Sequence, residues 1–158
     1  MNKLSHVDNQ GNPAMVDVSD KKITLRTALA ESRVRLGTEI INLLQNEEIY
    51  TKKGPVFQTA IIAGTQGAKK TAELIPFCHP IGLEDCKITI KIDELDAVVT
   101  CSARTTAKTG IEMEAITGAS IAAITIYDMC KAISHDIEII STRLLEKTGG
   151  KKDFIRNS

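Results

Sequence analysis

The sequence predicts an α+β fold, a ferredoxin-like sandwich in which an antiparallel sheet carries its helices on one face. Three observations point there. Several short segments alternate apolar and polar residues with the period of a strand. Longer segments repeat apolar residues at helical spacing. Read in order, the elements run β, β, α, α, β, β, α, β, which contains a β-α-β-β-α-β core.

Residues 1–14 are polar, with Gly11 and Pro13, and read as an arm. MVDVS at 15–19 predicts a short strand. Ile23, Leu25, Thr27 and Leu29 alternate with Thr24, Arg26, Ala28 and Ala30, a second strand that places Arg26 off the core face. A helix is expected from Thr38 to about Glu47, with Thr38 as its cap and Ile40, Ile41, Leu43 and Leu44 as its apolar stripe. After the basic loop Lys52-Lys53-Gly54-Pro55, another helix is expected over Val56–Leu74, ended by Pro76. Pro76 and Pro80 stiffen the following loop, which suits it to positioning Cys78 and His79. Residues 86–93 and 97–105 read as a hairpin, 110–131 as a long helix, 136–145 as a last strand and 148–158 as a polar tail. The whole, 1–158, reads as one domain.

Composition narrows the function. Apolar residues make up 42% and aromatics 3%, with no Trp, so aliphatic and small side chains must fill the core at close backbone approach. Twenty Lys and Arg balance twenty Asp and Glu, which argues against nucleic acid as a partner. The start of the chain builds no apolar signal segment, and the long helix is interrupted by Asp128, Lys131, Thr117, Ser120 and Thr125, so a cytoplasmic protein with no membrane span is expected. Four cysteines without a C-x-x-C pair read as reduced thiols. His6, His79 and His135 are too scattered for a metal site, and no cofactor is expected.

The chemistry concentrates on the long helix, where Glu112, Glu114, Asp128 and Lys131 stand in an apolar run. Asp128 and Lys131 share a face at i,i+3; the pair is either an ordinary surface ion pair or, partly buried among Ile124, Tyr127 and Met129, a general acid–base pair with the Lys pKa brought down. Glu114 and Asp128 lie about 21 Å apart at 1.5 Å per residue, so one subunit cannot close both around one atom. A long, multi-phosphate ligand or a site between subunits would satisfy that spacing. The stripe Ala115, Gly118, Ala119, Ala122 and Ala123 suits tight contact, and a second protein surface is expected over this helix. GTQGAKKT at 64–71 lacks the Gly before Lys that a phosphate-binding P-loop needs and reads as helix. Cys78 with His79 leaves two readings open, a thiol nucleophile with its base or a ligand-contacting loop.

The blocks MVDVS at 15–19, KKGPVFQTA at 52–60, LIPFCHPI at 74–81, KTGIEMEAITGASIAAITIYDMCKA at 108–132 and the closing KTGGKK resemble the molybdenum cofactor biosynthesis protein C family over nearly the whole chain. The resemblance implies cyclic pyranopterin monophosphate synthase activity on the cyclised dihydroguanosine triphosphate made by a radical-SAM GTP cyclase, with release of pyrophosphate. It implies a homohexamer, a trimer of dimers with sites at the dimer interface. It implies Asp128, Lys131 and Lys53 as catalytic residues. Phe77, Cys78, His79, Met113, Glu114 and Glu112 would contact substrate, and Arg26 and Lys147 would lie near its phosphates. Ile61 stands where the family commonly has Arg. The non-enzymatic alternative is an oligomeric nucleotide-binding module that uses the same basic residues without turnover.

Overall fold

The computed structural model describes residues 7, 8 and 10–157, so the expected arm lies partly outside the described residues. The strands are β1 (Thr24–Arg35), β2 (Leu44–Gln45), β3 (Glu48–Thr51), β4 (Gly54–Pro55), β5 (Asp85–Asp93), β6 (Asp96–Ala107), β7 (Glu138–Thr148) and β8 (Phe154–Ile155). The helices are α1 (Gly37–Ile41), α2 (Val56–Lys69), α3 (Thr71–Leu74) and α4 (Glu112–Cys130). One antiparallel sheet has the order β5-β6-β1-β7-β8, and β2-β3-β4 form a small second sheet. Within this set β1, α2, β5, β6, α4 and β7 make the β-α-β-β-α-β sandwich, with α2 and α4 together on one face.

Small residues decide which face of the sheet is buried. Ala28, Ala30, Ser32 and Val34 of β1 and Ala97, Val99, Cys101 and Ala103 of β6 lie against α4, itself lined by Ala115, Ala119, Ala122 and Ala123. This inverts the expected face of β1. Leu25 is exposed, and Arg26 falls in phase with the helix-facing side. The physical reason is volume: where backbones approach closely, an alanine fills the gap that a leucine would overfill.

Four further expectations change. Residues 15–19 form no strand, because the Asp17 carboxylate binds the Ser19 amide and hydroxyl at 2.8 and 2.6 Å and turns the chain there. The helix expected over 38–47 stops at Ile41, and Thr38 makes no cap. Asn46 and Glu47 instead take φ of 49° and 63°, the left-handed turn of a β2–β3 hairpin. The helix expected to reach Leu74 is interrupted at Lys70 and resumes as α3. The last strand runs on to Thr148, and the tail adds β8.

The long helix is sandwiched between the sheet and α2, while Ile124 remains exposed on its outer stripe. Among the described residues no helix is long and apolar enough to cross a membrane.

The α2–α4 crossing is set by glycines. A Cβ on Gly64 would stand 2.7 Å from the Gly118 carbonyl oxygen and 2.5 Å from Ile88 Cδ1. Alanine gains up to about 1 kcal/mol in helix propensity, but forcing two backbones apart costs about 1–3 kcal/mol. Gly64→Ala is thus expected to destabilise the protein, read as a lower urea midpoint at unchanged slope; an equal or higher midpoint would contradict the packing.

Candidate functional site

The C-terminal end of α4 meets the turn between β3 and β4. In that turn Thr51 Oγ1 accepts the Lys53 amide hydrogen at 3.2 Å, and Gly54 adopts a φ of 111° that disfavours any residue with a side chain. The turn projects Lys53 across to α4, where its Nζ donates to Asp128 Oδ2 at 2.7 Å and to the Asp128 carbonyl at 3.1 Å. Lys131 Nζ lies 2.8 Å from Asp128 Oδ1. Both oxygens of one carboxylate are thus held by two ammonium groups, at a helix terminus whose dipole favours cations.

These three side chains are about half exposed, and that decides their charge states. Lys131 first, then Lys53, pull the Asp128 pKa down from 3.8 to about 2. Asp128 in turn raises that of Lys131. The expectation that burial would bring the Lys131 pKa toward neutrality is overturned: the site is too wet for desolvation to outweigh the ion pair. Near neutral pH the trio is one carboxylate between two ammonium ions, a proton acceptor beside two donors.

At the other end of α4 the strand register gathers a basic hollow. Thr24 pairs with Ala107, and Thr27 pairs with Thr148, so the ends of β1, β6 and β7 meet where α4 begins. Arg26, Lys108, Lys147, Lys21 and Lys151 line a cavity of about 250 Å³ there, with Glu112 as its carboxylate. Lys147 Nζ is 2.8 Å from Glu112 Oε1. Burial raises the Glu112 pKa, but the hydrogen bond from Lys147 and its own amide outweigh that and leave it lowered. Arg26 is braced by donating to the Ala107 and Lys108 carbonyls at 3.4 and 3.3 Å. Thr109 Oγ1, also in the wall, is buried without a hydrogen-bond partner among the described residues.

Glu114, in the first turn of α4, is 4% exposed and makes no ion pair among the described residues. Burial, and secondarily the charge of Glu112, raise its pKa, so it holds its proton more readily than an ordinary carboxyl. It borders a second hollow of about 320 Å³ beneath the Pro80–Gly82 stretch of the stiff loop. In that loop His79 Nε2 is 2.7 Å from the Val16 carbonyl and must donate to it. Burial raises the Cys78 pKa, with Glu114 adding to it, so the thiol is protonated and has no bond to His79 among the described residues. The nucleophile reading of that pair finds no support. Phe77 is exposed, and Met113 lies partly buried in the first turn of α4.

Residues 15–150 match the MoaC family. The chain belongs to that family. It is 48% identical over 153 residues to a cyclic pyranopterin monophosphate synthase of Xanthomonas campestris, covering 96% of this chain and 93% of that one. It is 51% identical over 155 residues to a molybdenum cofactor biosynthesis bifunctional protein of Synechocystis, covering 95% of this chain and 45% of that one. It is 48% identical over 168 residues to molybdenum cofactor biosynthesis protein 1 of Dictyostelium discoideum, covering 95% and 27%.

In this MoaC-family chain the sequence-selected residues fall into two groups. Lys53, Asp128 and Lys131 come together at one end of α4. Arg26, Glu112 and Lys147 share the basic hollow at the other, with Glu114, Met113, Phe77, Cys78 and His79 on adjacent elements. Lys21, Lys108 and Thr109 were missed. The K-T-G that begins at Lys108 and stands just ahead of the charged helix start was their available signal.

The charge assignment is directly measurable. By carbon-detected NMR of the free protein, Asp128 should titrate near pH 2, so its ion pairs stabilise the fold fully above about pH 4 and are lost as pH falls through 2. Lys131→Ala is expected to move that titration upward further than Lys53→Ala does, and an Asp128 titrating at 3.8 in the unaltered protein would contradict the trio.

Proposed function

We propose that the chain converts 3',8-cyclised 7,8-dihydroguanosine 5'-triphosphate into cyclic pyranopterin monophosphate with release of pyrophosphate, acting as a lyase in an early step of molybdenum cofactor biosynthesis and as one catalytic domain over 1–158. The observation that carries this is the Lys53–Asp128–Lys131 trio, assembled from positions 75 residues apart in a chain whose relatives bear the synthase name. Rearranging carbon–nitrogen bonds through carbonyl and imine species calls for several proton donors and acceptors, and the trio offers both. The basic hollow supplies the complement: Arg26 and Lys147 suit the phosphates, and the Thr109 hydroxyl has a hydrogen bond to give.

Closing the cyclic phosphate requires a substrate hydroxyl to attack the α-phosphorus while the bridging oxygen leaves with pyrophosphate. The hydroxyl's proton passes to a base, for which Asp128 is the available carboxylate, and fixed cations stabilise the charge that builds on the leaving group. Glu114, Glu112, Met113, Phe77, Cys78 and His79 would line the path of the substrate.

About 21 Å of helix separates Glu114 from Asp128. A working site therefore joins the basic hollow of one subunit to the trio of its neighbour, in a homohexamer built as a trimer of dimers. A radical-SAM GTP cyclase supplies the substrate; relatives in which this domain occupies 45% or 27% of a longer chain favour such a link. A cytoplasmic setting follows from the substrate.

Two measurements test this. Purified protein given the cyclised substrate should release pyrophosphate, with Asp128→Asn slowing turnover about 10²- to 10⁴-fold while substrate still binds. A chain that binds but never turns over would instead be the nucleotide-binding module. Arg26→Ala subunits mixed with Asp128→Asn subunits should regain activity, because one site per mixed dimer then has an intact hollow and an intact trio; no recovery would place the whole site within a single chain.

A further inference from the structure

We propose that Glu48 is a positioning residue whose buried carboxylate clamps the base of the loop carrying Lys53 and so holds the Lys53 ammonium on Asp128. The carboxyl group is 7% exposed, a rare placement for a glutamate, and among the described residues it makes no ion pair. Its partners are backbone amides: Oε1 accepts from Ile49 and Phe57, each at 2.8 Å, and Oε2 accepts from Gln58 at 3.1 Å.

The second and third residues of α2 are Phe57 and Gln58, whose amide hydrogens have no acceptor within the helix. Pro55, the residue before α2, has no side chain able to cap them. Glu48 supplies that cap from nine and ten residues upstream, with both acceptor oxygens at the positive end of the helix dipole. Residues 49–56, enclosed between the two ends of this clamp, are the loop that presents Lys53.

Beyond the Thr51 hydroxyl and the Gly54 conformation inside the turn, few directional contacts hold that loop. The β3–β4 ladder has two residue pairs, Tyr50 with Pro55 and Thr51 with Gly54, and Pro55 has no amide hydrogen to contribute. The small sheet is separate from the main one. Ile49 is fully buried and sets the depth of the loop, but an aliphatic contact is non-directional. The carboxylate has two oxygens and three fixed donors, and it sets the angle. The charged groups facing Asp128 are Lys131 on its own helix and Lys53 on this loop, so a loop that swings releases one of the two.

The kinetic consequence rests on the proposed roles of Lys53 and Asp128, whereas the structural link can be read without turnover. The experiment compares the Asp128 NMR titration in the unaltered protein, Glu48→Gln, Lys53→Ala and the double variant, with kcat and KM for each. Glutamine keeps the shape but turns an NH₂ toward an amide donor. Glu48→Gln should raise the Asp128 titration in the direction of Lys53→Ala, and the double variant should go no further than Lys53→Ala alone. Turnover should fall 10- to 100-fold, about the cost of a 1 Å misplacement, with KM little changed. Ile49→Val trims the aliphatic contact of the same loop while keeping the backbone amide that donates to Glu48, and should leave Asp128 as it was. If Glu48→Gln does not fold, Glu48→Asp carries the same readout. A folded Glu48 variant with an unmoved Asp128, an equal shift in Ile49→Val, or loss of fold in both Glu48 variants overturns the proposal. A shifted Asp128 with unchanged kcat supports the clamp and counts against the catalytic roles instead.

Discussion

The close approach of α4 to the sheet and to α2 is the constraint on which the rest of the molecule depends. Alanines on the sheet and glycines at Gly64 and Gly118 let three backbones converge where larger side chains would hold them apart. Dispersion and apolar burial are then gathered from many short contacts rather than from a few large rings, in keeping with a chain that has 3% aromatic residues. A helix held that tightly along 19 residues is a rigid spacer. Its two ends cannot drift toward each other, and any chemistry placed at them is placed at a fixed separation.

The two ends then differ because their surroundings differ. Glu114 is enclosed, lacks a cation, and so resists losing its proton; Asp128 is half exposed, holds two cations, and gives up its proton readily. Two carboxyls on one helix are driven to opposite protonation preferences, chiefly by burial in one case and by ion pairing in the other. The basic hollow adds a third environment beside the first, with cations in excess of its one carboxylate. One end therefore suits the anionic part of a substrate and the other suits proton traffic.

Much of this was legible in the sequence, and the exceptions share a cause. The long helix, the hairpin over residues 86–105 and the i,i+3 pairing of Asp128 with Lys131 follow from local periodicity and were read correctly. The exposed face of β1 was misread because alternation shows that two faces differ, while the partner's shape decides which is buried; here the smaller set won. The helix over 38–47 was overextended because apolar spacing is ambiguous over a short run, and the left-handed pair Asn46-Glu47 ended it. The Lys131 charge state was misjudged because an apolar neighbourhood in sequence need not be a dry one in space. The contacts of Lys53 and Glu48 bridge elements, and no local pattern encodes them.

That last class explains why the loop from Thr51 to Gly54 is built as it is. A lysine that must meet a carboxylate on another element needs its backbone aimed, since a long flexible side chain carries roughly 2 kcal/mol of rotamer entropy that no single exposed ion pair repays. Three devices supply the aim: the Thr51 hydroxyl inside the turn, the glycine conformation at Gly54, and the amide clamp of Glu48 at the base. Of these three, the clamp is the one that ties the loop to the first turn of α2, and α2 is packed through Gly64 against the helix that bears Asp128. The route from Lys53 to Asp128 thus closes on itself through the same α2–α4 crossing that makes α4 rigid.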